Sequence, residues 1–427
     1  MKRVFLKNGM TLIYKYNPNN LTSFSIAFEA GANLESDPQY YGVAHALEHM
    51  VYKGTKNYTE DEINEKLDKL FGFNNAMTNY PYVVYYGTCL SEDFEEGIKL
   101  YGDILKNPSL VEEGFKEEMK VILEELKEWK EDLYQACEDE AFYNAFTNRR
   151  IKELIIGNEQ SLKNIGLNHI KEFYERYYTA DNCVISVISS LDFKRVLNLV
   201  EDTFKDFTKK LKNKSPYILN KTESIYEENK HGTFKSQIGS KGAKVQIIYP
   251  IHSLSEEEIK ALRVFNVAFG EGTSSFIYDE IRTKKGIAYD VGSTIKNEKG
   301  IKFLKIYLGT SKENAEKAID IILRKTEELK ASNTYFTQSR IEELVKSLKL
   351  KRSLLLERSI QESASLANYE IMYGDFRNKK VFNDLVIEEN YISPLYKELN
   401  ELESIDDKII MDTIKKVFQN PTIQILE

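Results

Sequence analysis

Two stretches of the chain carry the same order of hydrophobic and polar positions, half a chain apart. In each, an apolar strand-like run ends in Gly-Thr and is followed by an acidic turn and an amphipathic helical pattern that ends in Ile-Leu. The stretches are Tyr85–Leu105 and Ile306–Leu323, which gives an offset of 221 residues (306 − 85). Each half also closes with a helical pattern, an Asn-containing turn and an apolar strand, CVISVIS in one and TIQIL in the other. This self-similarity predicts a duplicated structural unit.

Within each half, runs that alternate apolar and polar residues predict strands: MTLIYKY and FSIAFEA in the first half, KVQIIYPI in the second. Residues 59–62 and 255–258 have the Ser/Thr-x-x-Glu signature of a capping box, and apolar residues at helical spacing follow both. Strands mixed with long helices, without strict alternation, indicate the α+β class. We therefore predict two homologous α+β halves, each an antiparallel or mixed sheet packed with helices.

The length of 427 residues exceeds what a single hydrophobic core usually supports. A lysine-rich polar segment without sustained periodicity lies near the middle of the chain and is typical of a linker. We predict a first half at 1–212, a linker at 213–235 and a second half at 236–427.

Composition narrows the class of protein without indicating its chemistry. The 59 Lys+Arg and 67 Asp+Glu are interspersed and leave a net charge of −8, which argues against nucleic acid or an anionic membrane as a partner. No apolar run approaches the roughly 18 residues of a membrane span, and the basic N-terminus lacks the apolar region of a secretory signal. The three cysteines are far apart and form no CxxC motif, which predicts a reducing, cytoplasmic location: Cys89, Cys137 and Cys183.

Two of the five histidines lie four residues apart in the sequence His45-Ala-Leu-Glu48-His49. Chance would produce HxxEH only about 0.006 times in a chain of this composition. The surrounding GVAHALEHMVYKG predicts a helix that ends at Gly54. On it, both imidazoles project from one side and Glu48 reaches the same space. Two neutral imidazoles with a nearby carboxylate that is not a ligand are typical of a zinc site that activates water, in the reverse order of HExxH.

A third protein ligand has to come from another segment, and the helical stretch EEMKVILEELKEWKED offers several glutamates. Two of them share a helix face with Ile122 and Trp129, and carboxylates on such a face need a partner. Glu118 and Glu125 lie about 10 Å apart along a helix axis, so one would be a ligand and the other would accept the free N–H of a ligating His. Spacing alone leaves four candidates for the ligand: Glu118, Glu124, Glu125 and Glu128.

The segments GVAHALEHMVYKGT, NNAMT and EEMKVILEELKE together resemble the pitrilysin/insulinase family of zinc peptidases, in particular its branch of mitochondrial processing peptidase β subunits. The resemblance covers nearly the whole chain, and the family's chains also hold two homologous halves. The family motif has a glutamate ligand about 76 residues after the second His, which implies Glu125 as the third ligand (49 + 76 = 125). It also implies a functional role for Glu118, seven residues earlier.

The resemblance further implies substrate-binding residues in both halves. In the first, Asn75 and Ala76 match an Asn-Ala pair on an edge strand that aligns the substrate backbone, although GFNNAMT lacks one glycine usual before that pair. In the second, Arg282 and Tyr289 match an Arg and a Tyr that face the zinc. Only the first half is expected to bind metal, because a shift of 221 residues replaces its four metal-site residues by Asn266, Phe269, Gly270 and Lys346.

We therefore predict a zinc-dependent endopeptidase that hydrolyses peptides or unfolded polypeptide segments, with one Zn²⁺ per chain held by His45, His49 and Glu125. Glu48 is expected to act as general base and then as proton donor. The resemblance implies that the two halves form a clamshell around a peptide chamber and that two chains pair as a homodimer. The alternatives are a non-catalytic structural or assembly subunit and a peptide-binding protein of the same family.

Overall fold

The computed structural model describes residues 1–207, 226–332, 334–376 and 385–427. Within them the strands are β1 (Lys2–Phe5), β2 (Thr11–Tyr16), β3 (Leu21–Phe28), β4 (Phe71–Thr78), β5 (Val83–Leu90), β6 (Cys183–Ser189), β7 (Gly232–Ser236), β8 (Ala243–Pro250), β9 (Ala288–Glu298), β10 (Ile301–Thr310), β11 (Val386–Glu388) and β12 (Thr422–Leu426). The helices are α1 (Val43–Met50), α2 (Glu60–Leu70), α3 (Phe94–Lys106), α4 (Glu112–Glu131), α5 (Leu133–Ala145), α6 (Glu159–Asn164), α7 (Leu167–Tyr177), α8 (Phe193–Phe204), α9 (Glu256–Phe269), α10 (Phe276–Tyr278), α11 (Ala315–Ala331), α12 (Gln338–Glu357), α13 (Ser359–Tyr373), α14 (Pro394–Asn400) and α15 (Asp407–Val417).

The chain folds into two compact units, and each draws on separate parts of the sequence. The first unit comprises the described residues of Met1–Leu126, Leu154–Glu223 and Leu354–Lys397. The second comprises the described residues of Lys127–Glu153, Ser224–Ser353 and Glu398–Glu427. Most of the predicted linker, 213–225, lies outside the described residues, and its last four residues belong to β7.

Both units are built on one sheet topology. In the first, the described strands follow the order β11-β1-β2-β6-β3-β5-β4, and in the second the order β7-β12-β8-β10-β9. The last five positions correspond one to one, including the parallel pairs β2–β6 and β7–β12 among otherwise antiparallel neighbours. The predicted duplication, the α+β class and the mixed sheets are confirmed. The closure of the two halves over a peptide chamber stays a prediction.

One face of each sheet is covered by a helix that comes from the other half of the sequence. In the first unit, α13 packs on β3 and β6, where Leu366 and Ile371 join a buried cluster with Ile13 and Val184. In the second unit, α5 packs on β12 and β8, and its Cys137 thiol donates to the Lys244 carbonyl at 3.3 Å. Both helices follow a 20-residue helix, α4 in one half and α12 in the other, so the exchange is itself part of the repeat.

Local patterns produce the predicted helices and core. Thr59 and Glu62 form the capping box that opens α2, and Ser255 and Glu258 form the one that opens α9. The apolar stripe of α1 is buried: Val43, Ala46, Leu47 and Met50. All three cysteines are buried, and none of them forms a disulfide with another described residue. No helix within the described ranges is long and apolar enough to cross a membrane.

Candidate metal centre

Helix α1 carries three of the predicted site residues and is fixed at its N-terminus by a buried carboxylate. Glu35 accepts hydrogen bonds from the backbone N–H groups of Gly42 and Ala44, at 3.1 and 2.8 Å. These N–H groups have no acceptor within the helix, so the Glu35 carboxylate supplies one. Its negative charge also interacts favourably with the positive end of the helix dipole. The rings of His45 and His49 lie side by side with centroids 4.6 Å apart.

Two glutamates of α4 lie on different sides of the His49 ring. Glu125 Oε1 is 3.7 Å from Nε2 of His45, and Glu125 Oε2 is 3.5 Å from Nε2 of His49. Glu118 Oε1 is 2.7 Å from Nδ1 of His49, a hydrogen-bond distance. One candidate ligand atom from each of His45, His49 and Glu125 can be chosen so that all three lie within 4.8 Å of one another. The other two candidate glutamates of this helix are exposed: Glu124 and Glu128.

The protonation of the two histidines differs because their surroundings differ. Burial, reinforced by His49, lowers the pKa of His45 to about 3, so this ring is neutral. Burial also opposes protonation of His49, but the hydrogen bond to Glu118 and the charges of Glu48 and Glu125 outweigh it and raise its pKa. The His49 hydrogen bond in turn lowers the pKa of Glu118, and Lys53 acts in the same direction.

This arrangement fits a zinc ion. Zinc binds imidazole nitrogen and carboxylate oxygen at about 2.0–2.2 Å, and tetrahedral geometry then separates neighbouring ligand atoms by about 3.4 Å. The nitrogen–oxygen distances of 3.5 and 3.7 Å, each to a different oxygen of the Glu125 carboxylate, are close to that separation. Glu118 holds Nδ1 of His49, which leaves Nε2 facing Glu125. His45 is neutral at ordinary pH, which is the form that binds metal.

Glu48, which lies between the two histidines in the sequence, is buried and is hydrogen-bonded to the edge strand β4. The Thr78 hydroxyl, at the end of β4, donates to Glu48 Oε2. Burial raises the pKa of Glu48, while the hydrogen bonds from Thr78 oppose that shift. Thr78 was not among the residues predicted from sequence, although one signal was available: Ala76 and Thr78 are two positions apart on a strand, so their side chains lie on the same face.

Asn75 and Ala76 lie on β4, which is the edge of the first sheet as predicted. Their pairing partners on β5 are Tyr86 and Tyr85. The Asn75 side chain is exposed, and its Oδ1 accepts a hydrogen bond of 2.8 Å from the Ala76 backbone N–H. A peptide strand that used this N–H would have to displace the Asn75 side chain.

Arg282 and Tyr289 lie together in the second unit. Arg282 belongs to a π-helical turn, Asp279–Lys284, and Tyr289 is near the start of the edge strand β9. The guanidinium lies 4.6 Å from the centroid of the Tyr289 ring and donates a hydrogen bond to the Tyr278 hydroxyl. Tyr289 is 81% exposed, so its hydroxyl is available to a ligand.

In the second unit, side-chain contacts fill the place that corresponds to the proposed metal site. Asn266, which aligns with His45, is fully buried and bonds to Glu271 and to the Ser293 hydroxyl, at 2.7 and 2.5 Å. Gly270 aligns with His49, and a Cβ there would lie 1.9 Å from Ser293 Oγ. Among the described residues, no group of potential metal ligands includes this region.

Lys53 is a second residue that the sequence analysis missed. Its ammonium lies 3.4 Å from Glu118 and 2.7 Å from Glu60, and its side chain is only 12% exposed. It follows His49 by four residues, one helical turn, and that spacing was the available signal.

Two protein-family models match most of the chain. The model described as Insulinase (Peptidase family M16) matches residues 11–159, and the model described as Peptidase M16 inactive domain matches residues 164–348. The chain belongs to the insulinase family, peptidase family M16. The inactive-domain match takes in 236–348 of the half in which no metal site is expected, together with the end of the first half.

Individual relatives agree with this assignment to family M16. An uncharacterized zinc protease from Rickettsia bellii is 25% identical over 418 residues, covering 97% of this chain and 94% of the relative. The mitochondrial-processing peptidase subunit beta of Neurospora crassa is 28% identical over 200 residues, 47% of this chain and 42% of that protein. The crystal structure of a protease from Helicobacter pylori has the same fold, with a TM-score of 0.85 at 19% identity over 100% of this chain and 99% of the other. The predicted family and its processing-peptidase-like branch are confirmed.

Proposed function

We propose that this M16 protein is a zinc-dependent endopeptidase in which one Zn²⁺ per chain is held by His45, His49 and Glu125. The observation that carries the proposal is the convergence of these three side chains within 4.8 Å, with Glu48 buried on the same helix. When bound, zinc lowers the pKa of a water and polarises a carbonyl.

The residues around the metal centre have separate roles in this proposal. Glu48 removes a proton from the attacking water and later delivers it to the leaving amine, and Thr78 holds its carboxylate in position. Burial raises the pKa of Glu48, which makes it a stronger base than an exposed glutamate. Glu118 fixes the orientation of the His49 ring.

Substrate would be a peptide or an unfolded polypeptide segment in extended form. Asn75 and Ala76 on the sheet edge provide backbone groups to which a peptide strand can be added. Arg282 and Tyr289 of the second unit offer a guanidinium and an exposed phenol as donors to substrate carbonyls. In domain terms, 1–212 is the catalytic half, 213–235 the linker and 236–427 the half that contributes these two residues.

Replacing Glu48 tests the proposal directly. Glu48→Gln keeps the size of the side chain but removes the base, so hydrolysis of a quenched peptide should fall by at least about 10²-fold while zinc stays bound. His45→Ala and His49→Ala should lose zinc and activity together. Metal content by atomic emission and peptide cleavage are the two measurements.

Two outcomes would favour other functions. A protein that binds zinc and peptides without cleaving them would be a peptide-binding protein, and one that neither retains zinc nor cleaves would be a non-catalytic subunit. A protein in which Glu48→Gln releases zinc while Glu125→Gln retains it would have a different ligand set.

We also propose that the protein acts in the cytoplasm as a homodimer. Three buried thiols that form no disulfide among the described residues support a reducing compartment. Size-exclusion chromatography with light scattering tests the dimer, and a monomer at micromolar concentration would contradict it.

A further inference from the structure

A cavity of about 620 Å³ lies within the second unit beside Arg282 and Tyr289. Its wall extends beyond those two residues to Tyr134 at the start of α5, Lys244 on β8 and Gly309 on β10. Lys244 and Gly309 are opposite each other in the antiparallel β8–β10 pair. The cavity therefore continues from the proposed substrate-binding pair onto the sheet face that α5 covers.

Because Gly309 has no side chain, there is space beside it for the Lys244 ammonium. A Cβ at Gly309 would lie 2.3 Å from the Tyr134 hydroxyl and 3.0 Å from Lys244 Nζ. The Lys244 ammonium lies 3.8 Å from the centroid of the Tyr134 ring, a cation–π contact. The lysine is thus held beside the cavity by an aromatic face.

Two cations line this cavity and neither is neutralised by an ion pair. Within the described residues, Lys244 and Arg282 contact aromatic rings and have no carboxylate as a salt-bridge partner. One carboxylate, Asp290, also lines the cavity and interacts with the Tyr134 hydroxyl. Burial and the charge of Asp290 both raise the pKa of Tyr134. The lining therefore carries two positive charges and one negative charge.

We propose that this cavity binds a carboxylate of the substrate peptide between the Lys244 ammonium and the Arg282 guanidinium. Charge-assisted hydrogen bonds to a carboxylate are stronger than those to a neutral group, so the site selects for charge. The proposal rests on the proposed function in one respect, that Arg282 and Tyr289 contact substrate. The carboxylate belongs either to the C-terminus of the peptide or to an Asp or Glu side chain.

Binding measured without hydrolysis separates this proposal from the peptidase assignment. Metal-free protein is titrated against three fluorescent peptides of one sequence: a neutral amidated form, a form with a free C-terminal carboxylate, and an amidated form with one internal Gln replaced by Glu. Anisotropy gives the Kd of each. At least one charged peptide should bind about 10-fold more tightly than the neutral one.

Lys244→Met should abolish that difference while leaving the Kd of the neutral peptide unchanged. Lys296→Met is the matched control, because Lys296 lies on β9 and has Glu298 at 3.7 Å. A preference for the free C-terminus alone identifies the chain end as the ligand, and a preference for Glu alone identifies the side chain. Equal Kd values for all three peptides, or a charge preference that survives in Lys244→Met, would overturn the proposal. Charge-dependent binding by a protein that fails to hydrolyse peptides when it is supplied with zinc would reject the peptidase assignment and keep this site.

Discussion

The orientation of a single imidazole ring determines the arrangement of the proposed metal site. Nδ1 of His49 is held by Glu118, and Glu118 is held on its other side by Lys53. This chain of contacts leaves Nε2 of His49 facing Glu125. Lys53 is therefore expected to act on the metal through two intermediate residues.

Lys53→Met should weaken zinc binding without removing a ligand. Partners behind a metal ligand typically contribute about 10- to 100-fold to metal affinity, and Lys53 is one contact further away, so we expect a loss of about 3- to 10-fold. Competition with a chromogenic chelator measures the zinc Kd. Lys56→Met, an exposed lysine three residues along, is the control and should bind zinc normally. An unchanged Kd in Lys53→Met would show that Glu118 is positioned without the lysine.

Zinc affinity should depend on pH through one histidine. His45 has a pKa of about 3 and is already neutral, whereas the pKa of His49 is raised above its ordinary value of about 6.5. Below the raised pKa of His49, binding zinc displaces a proton from His49 only. The zinc affinity should therefore rise tenfold per pH unit from about pH 5 upwards and become constant once the pH exceeds the pKa of His49. Isothermal titration in buffers of different ionisation enthalpy counts the released protons. Two protons released at pH 6 would contradict the assignment.

Sequence singled out the residues of the proposed metal site more readily than the residues that contact them. His45, Glu48 and His49 lie on one helical turn, so their spacing fixes their geometry. Spacing left four glutamates of α4 as candidates, and the family resemblance implied Glu125. The approach of α4 to α1 brings Glu125 close to both imidazoles, whereas Glu124 and Glu128 are exposed. Thr78 reaches Glu48 from a strand 30 residues away, a contact that local periodicity does not encode.

At the scale of elements, α1 depends on a buried cap. Glu35→Ala would leave the N–H groups of Gly42 and Ala44 buried without their acceptor, which should lower the free energy of unfolding by about 1–3 kcal/mol. Glu35→Gln keeps one acceptor oxygen and should lose less. Urea unfolding of the metal-free protein measures both variants. Equal stability of Glu35→Ala and the unmodified protein would show that the cap contributes nothing.

The elements that sequence predicted are those with strong local signals. The capping boxes at Thr59 and Ser255 open helices as expected, and the strand–turn–helix repeats recur in both units. Strand β7 was not predicted, because its sequence GTFKS does not alternate apolar and polar residues. Its strand conformation is instead stabilised by parallel pairing with β12. The exchange of α5 and α13 also escaped prediction, since an amphipathic helix does not specify which sheet it covers.

For the whole molecule, this exchange means that neither unit is a continuous segment. A fragment 1–212 lacks α13 and would expose the apolar face that α13 covers: Ile13, Ala27, Val84, Val184 and Ile188. We expect this fragment alone to be insoluble or without a cooperative thermal transition. Co-expression with 213–427 should restore a soluble complex with one melting transition. A fragment 1–212 that melts cooperatively alone would show that α13 is dispensable.

The edge strand β4 has a consequence for how this protein behaves at high concentration. A free sheet edge that accepts peptides also accepts the edges of other copies, which is a route to aggregation. Phe73 and Met77 are 48% and 41% exposed on this strand, which would make such contacts favourable. Between them, the Ala76 N–H donates a hydrogen bond to the Asn75 side-chain oxygen, so this N–H is not available to an incoming strand. Asn75, whose backbone is proposed to bind a peptide, would thus use its side chain to limit self-association of the protein.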